Sequence, residues 1–177
     1  WAFRDPNEGE NAYWRDVGTL DAYYDASMDL ISVDPPFNLY DERWPIRTAR
    51  MGLPPAKFVF ADEGDQPRRG MALDSMVAEG SILSGGQAER SLLSPQVRLN
   101  SWSQIDDSIL LDEVNIGRYA KVRRAIIDKK VQVPPKIEIG FDPDEDRKRG
   151  FVVTPGGVTV IGRAAKIPDP PVQIATS

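Results

Sequence analysis

The feature that most constrains this chain is a six-residue recurrence of aliphatic side chains between Val77 and Ile139. Leu93, Leu99, Ile105 and Leu111 fall six apart. A step of five leads to Ile116, six to Val122, five to Ile127, and six each to Val133 and Ile139. Two residues before most of these stands a second small or branched residue: Val97, Ser103, Ile109, Ala120, Val131 and Ile137. Residues two apart share one face of a strand. A helix needs apolar recurrence at three and four, sustained over turns, which the sixes do not supply. The pattern predicts a mainly β fold, a parallel β-helix of hexapeptide type. Three hexads make one triangular turn of about 18 residues, so this stretch holds about three and a half turns. Turns stack roughly 4.8 Å apart through backbone hydrogen bonds. Each inward Leu, Ile or Val contributes roughly 1.5–3 kcal/mol when fully buried. The repeat itself leaves the hand of the coil open.

Composition narrows the chemistry more than the fold. The 177 residues contain no Cys and no His, and carry a net charge of −5. No disulfide framework or thiolate site exists. The commonest general base and metal ligand near neutral pH is missing too. Any chemistry must use carboxylates, Lys, Arg, Tyr, Ser or backbone groups. The charge balance makes no general case for nucleic acid, and no apolar run approaches the roughly 18 residues of a membrane span. No signal peptide is visible, and a Cys-free chain fits a reducing cytoplasm. The opening Trp1-Ala2-Phe3-Arg4-Asp5 lacks an initiator Met and reads like an interior strand, so a fragment of a longer chain is expected.

In chain order, residues 1–12 form a polar loop and Tyr13 to Thr19 a strand end and turn. Thr19 is placed to cap a helix from Leu20 to about Ile31, with Leu20, Tyr23, Tyr24, Ser27, Met28 and Ile31 at helical spacing. Pro35 and Pro36 stop it. Residues 37–60 are extended and punctuated by Pro, and Asp62 to Arg69 is a charged loop. After the coil, residues 142–150 form a short helix or loop. Phe151-Val152-Val153 and Val158-Thr159-Val160-Ile161, joined by Thr154-Pro155-Gly156-Gly157, read as a hairpin. A Pro-rich tail runs from Pro168 to Ser177.

Charge is unevenly placed. Residues 1–44 hold ten acids and three bases. Residues 116–136 hold Arg118, Lys121, Arg123, Arg124, Lys129, Lys130 and Lys136 against the single acid Asp128. Outer side chains of a coil lie one turn apart, so these bases are positioned to converge. They form either a solvated basic face or a site for an oxyanion.

Several blocks resemble one family in the same order: Tyr13-Trp14-Arg15-Asp16-Val17-Gly18-Thr19, Trp44-Pro45-Ile46-Arg47-Thr48, Pro54-Pro55-Ala56-Lys57-Phe58-Val59, Ser91-Leu92-Leu93-Ser94, Val97-Arg98-Leu99-Asn100-Ser101 and Ile126-Ile127-Asp128-Lys129. They resemble the C-terminal portion of bacterial ADP-glucose pyrophosphorylases (glucose-1-phosphate adenylyltransferases). The resemblance implies a left-handed parallel β-helix, preceded by a helix and linker from the end of a Rossmann-like nucleotidyltransferase domain. It divides the chain into a catalytic-domain remnant (1–34), a linker (35–70), a β-helix for regulation and assembly (71–163) and a tail (164–177). It implies an enzyme that makes ADP-glucose and pyrophosphate from ATP and glucose 1-phosphate for glycogen synthesis. It further implies Mg²⁺ dependence, a cytoplasmic homotetramer, and control by a phosphorylated or carboxylate glycolytic effector. The nucleotide-binding core is expected to be missing. No Gly-rich phosphate loop opens a helix, and the Gly-Gly pairs at 85–86 and 156–157 sit in the coil and a hairpin turn. This chain alone is expected to be inactive.

Residue by residue, Asp16 resembles the family aspartate that helps hold Mg²⁺, a hard cation suited to carboxylate and phosphate oxygens. Its plainer reading is a cap for the following helix. Lys129 and Arg163 resemble basic positions linked to effector binding, with surface charge as the plainer reading. Arg47 and Gly70 belong to the same seam more loosely. After Arg163 the basic helix of some members is replaced by Ala164-Ala165-Lys166 and the Pro-rich tail. A hexapeptide acyltransferase uses the same coil but typically needs a His base, and a β-helical carbonic anhydrase needs zinc-binding His. A scaffold or effector-binding module is the remaining alternative.

Overall fold

The computed structural model describes residues 14–43, 45–46, 51–163 and 165–168. A parallel β-solenoid of more than four turns fills most of it, with three flat sides. Strands β1 (Lys57–Val59), β2 (Met71–Leu73) and β3 (Met76–Val77) open the coil. They are followed by β4 (Ile82–Ser84), β5 (Gln87–Glu89), β6 (Leu92–Leu93), β7 (Arg98–Leu99), β8 (Gln104–Asp106) and β9 (Ile109–Leu110). Then come β10 (Asn115–Ile116), β11 (Lys121–Arg123), β12 (Ala125–Ile127), β13 (Gln132–Val133), β14 (Glu138–Ile139), β15 (Val152–Val153) and β16 (Thr159–Ile161). The first face is β1-β4-β7-β10-β13, the second β2-β5-β8-β11-β14, and the third β3-β6-β9-β12-β16, with β15 antiparallel on the outside of β16. The predicted coil is therefore longer than 77–139 at both ends.

One turn is shorter than three full hexads. Ile82 pairs with Arg98, sixteen residues on, and Arg98 with Asn115, seventeen on. The missing residue falls at the corner between the second and third faces, where Ile105 is followed five residues later by Leu110. Leu110, not Leu111, therefore occupies the inward ladder, stacked in register with Leu93 and Ile127. Leu110 is fully buried, while Leu111 is half-buried in a separate outer cluster. Ile109 likewise faces outward, and Ser108 takes the inward place beside the corner. The second turn is shortened once more at Gly85-Gly86. A Cβ on Gly86 would sit 2.4 Å from the Ser103 hydroxyl and 2.8 Å from Leu99 Cβ.

The corners explain how so compact a turn closes. Every non-glycine residue found at positive φ lies on one of three edges: Asp74, Arg90, Asp107 and Arg124; Gln96, Glu113 and Lys130; Trp102, Tyr119 and Lys136. Left-handed backbone is costly for such residues, and it recurs here because each corner reverses sharply within a hydrogen-bonded stack. The amide of Arg90 donates to Leu73 O at 3.0 Å, that of Asp107 to Glu89 O at 3.1 Å, and that of Arg124 to Asp106 O at 3.1 Å. The residue after each corner turns inward and is small or aliphatic. On the tightest edge this makes a buried serine column. The Ser108 amide donates to Ser91 Oγ at 3.1 Å, and the Ala125 amide to Ser108 Oγ at 3.2 Å.

Helix α1 (Leu20–Met28) continues into a 3₁₀ turn at Asp29–Ile31, matching the expected span. Thr19 caps it, its Oγ1 accepting from the Ala22 amide at 3.1 Å. The helix packs on the third face, where Tyr24 and Met28 meet Leu92, Ile109, Ile126, Val158 and Val160. At the upper end, α2 (Pro143–Lys148) interrupts the last turn. Its Asp146, 1 % exposed, accepts from the Gly140 amide at 2.8 Å and the Thr159 hydroxyl at 3.0 Å. Phe151 closes the core beside it. The expected hairpin is β15 and β16, with β16 also forming the last parallel rung against β12.

Candidate functional site

The edge between the third and first faces brings two of the expected site residues together. Asp128 follows β12, and its amide donates to Ile161 O at 2.9 Å, which ties β12 to β16. Its carboxylate then accepts two main-chain N–H groups, from Lys129 at 2.7 Å and from Arg163 at 3.2 Å. One side chain thus fixes the backbone of both Lys129 and Arg163, which are 34 residues apart in the chain. Both residues are exposed. The Lys129 ammonium lies 3.2 Å from Asp112, and the Lys130 ammonium 3.4 Å from Glu113, each acid one turn below. Such exposed pairs are worth little in stability, about 0–1 kcal/mol, so an incoming anion competes with them at small cost. Arg163 forms no ion pair among the described residues.

The seven bases of 116–136 do not converge. A seventeen-residue turn with three corners deals them to different sides. Arg118 lies 5.6 Å from the Trp102 ring centroid, on the edge it shares with Lys136. Lys121 and Arg123 stand on the second face, with Lys121 2.8 Å from Glu138. Arg124 donates to Gly156 O at 3.1 Å and lies 5.3 Å from the Tyr24 ring. Only Lys129 and Lys130 share the edge with Arg163.

Asp16 is exposed just ahead of α1 and accepts the Gly18 amide at 2.9 Å. Since Thr19 caps the helix, Asp16 is not its cap; one of its oxygens closes a local turn and the other is left over. Among the described residues no group of three or more potential ligands gathers around a metal. Among the described residues Asp16 is thus an exposed carboxylate with one oxygen engaged in a local turn. Gly70 is a packing position. A Cβ there would lie 2.1 Å from Leu83 O and 2.8 Å from Val59 O. Arg47 lies outside the described residues.

Two structural contacts carried no sequence signal. Asp21, in the first turn of α1, accepts from the Thr154 hydroxyl and from the Gly156 amide at 3.1 Å, clipping the helix to the β15–β16 turn. Tyr24 donates from its hydroxyl to Asp107 O at 2.6 Å. Burial pushes its phenol up from the ordinary range, with Arg124 acting against that.

Residues 54–161 match a family model described as GlmU-like, C-terminal hexapeptide. The chain is 56 % identical over 168 residues to a glucose-1-phosphate adenylyltransferase of Rhodopirellula baltica, covering 95 % of this chain and 38 % of that protein. A protein of the same name from Koribacter versatilis is 52 % identical over 97 % of this chain and 40 % of its own length. Another from an Anaeromyxobacter species is 54 % identical over 92 % and 39 %. The chain thus spans about two fifths of the length of these curated relatives.

Proposed function

The chain belongs to the GlmU-like, C-terminal hexapeptide family, and from that premise we propose that it is the coil-bearing part of a glucose-1-phosphate adenylyltransferase. The parent enzyme makes ADP-glucose and pyrophosphate from ATP and glucose 1-phosphate in the cytoplasm, as a homotetramer. The coil serves assembly and effector binding, while the nucleotide-binding core lies in another part of the parent. What carries the effector reading is the Asp128 carboxylate, which holds Lys129 and Arg163 side by side on one edge. Two adjacent cations on rigid backbone suit a phosphate or carboxylate, because charge-assisted hydrogen bonds to ionised groups are the stronger ones.

Asp16 serves the catalytic side of the parent. Its free oxygen is one ligand position for Mg²⁺, which when bound supplies charge neutralisation at the nucleotide phosphates. Arg15, ion-paired with Asp29 in the turn after α1, anchors the segment that carries Asp16.

The test is an assay of ADP-glucose formation from ATP, glucose 1-phosphate and Mg²⁺. The parent turns over and the purified chain does not; turnover by the chain alone would contradict the division of labour. In the parent, Lys129→Ala and Arg163→Ala each weaken the response to phosphorylated or carboxylate glycolytic intermediates. An unchanged response in both removes the effector assignment.

A further inference from the structure

The second face of the coil is exposed and carries an ordered sequence of charges. Its outward positions form two rows. Met71, Gln87, Gln104, Lys121 and Glu138 stand in one, and Leu73, Glu89, Asp106 and Arg123 in the other. From bottom to top the face is apolar, then acidic and amide-bearing over two rungs, then doubly basic, then acidic. Gln87, Gln104, Arg123 and Glu138 are exposed. Arg123 forms no ion pair among the described residues, although Asp106 is its register partner on the next strand.

We propose that this face is an interface between two copies of this chain, packed side to side with their coils antiparallel. The assignment rests on the assembly reading given above and specifies which surface is used. A two-fold axis running along the strand direction, between the β8 and β11 levels, preserves position along the strand and inverts the order of rungs. Asp106 of each copy then faces Arg123 of the other, and Gln104 faces Lys121. One rung out, Gln87 meets Glu138, and Glu89 meets Gly140. No like charges oppose each other. The other isologous arrangement, with coils parallel, sets Lys121 against Arg123 across the contact and is disfavoured by that repulsion.

The isolated chain supports the same direction. The Asp106 carboxyl is pushed above its ordinary range, first by burial and then by the neighbouring Glu89. A guanidinium arriving from a second copy counters the repulsion from Glu89 and gives the carboxylate a charge partner, adding to the weaker opposing pull of Arg90 and Arg123 in its own chain. The face is about 20 Å tall, five strands at roughly 4.8 Å spacing. With strands of three residues or fewer, about 10 Å across, it covers on the order of 200 Å², short of the ~800 Å² per partner of a standard interface. The contact is therefore weak alone and gains from other contacts in a larger assembly.

Sedimentation equilibrium of the purified chain at low salt, over a wide concentration range, tests this directly. Wild type self-associates. Arg123→Asp, which sets carboxylate against carboxylate across the contact, and Asp106→Arg, which sets guanidinium against guanidinium, each associate at least tenfold more weakly. An equimolar mixture of the two single variants recovers association, as does the double variant, and neither a damaged fold nor a general loss of charge produces that recovery. Association that ignores both substitutions assigns the contact elsewhere and overturns the proposal, leaving assembly intact. A monomeric chain within a tetrameric parent does the same. A monomeric parent ends both readings.

Discussion

The second and third faces of the coil share one backbone and differ in what lies on them. On the third face the outward row is Leu92, Ile109, Ile126 and Val160, and α1 is seated on it. On the second face, above the lowest rung of Met71 and Leu73, the outward rows are amides and charges. Strands buried on both sides read as continuous apolar runs, while one-sided strands alternate. Ile109-Leu110-Leu111 and Ala125-Ile126-Ile127 are runs of the first kind; Gln104-Ile105-Asp106 and Lys121-Val122-Arg123 are the second. The difference teaches that a coil's sequence records which of its sides is covered within the same chain.

That contrast can be broken at several points. The largest effect is expected inside the ladder. Leu110→Ala should cost about 2–5 kcal/mol, and Leu111→Ala clearly less, because Leu111 is only half-buried against the helix. Equal losses in chemical denaturation would mean the two leucines had been assigned to the wrong sides. Next comes the clip. Asp21→Ala leaves the Thr154 hydroxyl and Gly156 amide without their acceptor, at about 1–3 kcal/mol. Hydrogen exchange should then rise across α1 while the coil strands stay protected.

Tyr24→Phe removes the hydroxyl donated to Asp107 O and should cost about 1 kcal/mol. It also carries a pH signature. A phenol whose pKa is raised in the folded state stabilises fully below its unfolded value, near pH 10, and loses that contribution as pH rises through the folded value. Melting temperature should therefore fall in alkali for wild type more steeply than for Tyr24→Phe. The smallest effect is on the bare side. Asp106→Asn should shift stability by no more than about 0.5 kcal/mol, in the stabilising direction at pH 7. The ionised carboxylate is disfavoured in the fold, so the gain should vanish at low pH, where it is protonated in both states. A large loss at pH 7 would show Asp106 to be paired within its own chain.

The period was legible because an inward residue every five or six positions has no helical counterpart. The helix was legible from Thr19 and the spacing of Tyr24 and Met28. The place of the five-residue step was not, because Leu110 and Leu111 are the same residue type side by side and both are apolar for different reasons. Convergence of the seven bases was overestimated for a different reason. One turn carries them past two faces and three edges, so Lys121 and Arg123 fall on the second face, Arg124 on the edge after it, and Lys129 and Lys130 on the next. Asp128 stands inside the Ile126-Ile127-Asp128-Lys129 block, yet nothing local announces that its carboxylate reaches Arg163, since the contact spans the whole α2 excursion. Asp146 was hidden likewise, one acid among several in a charged segment, distinguished only by burial.

The corners hold one further consequence. Asp, Arg, Gln, Trp, Glu, Tyr and Lys all occupy the same left-handed geometry along the three edges, so the bend is imposed by the column and not by the residue that makes it. Those edges are in effect a row of interchangeable sockets. Trp102 over Tyr119, parallel to within 6° at 4.8 Å, is one filling, and Arg90 against Asp107 another. A protein engineer who wanted a chosen chemistry displayed at fixed vertical intervals could rewrite them one by one without redrawing the backbone.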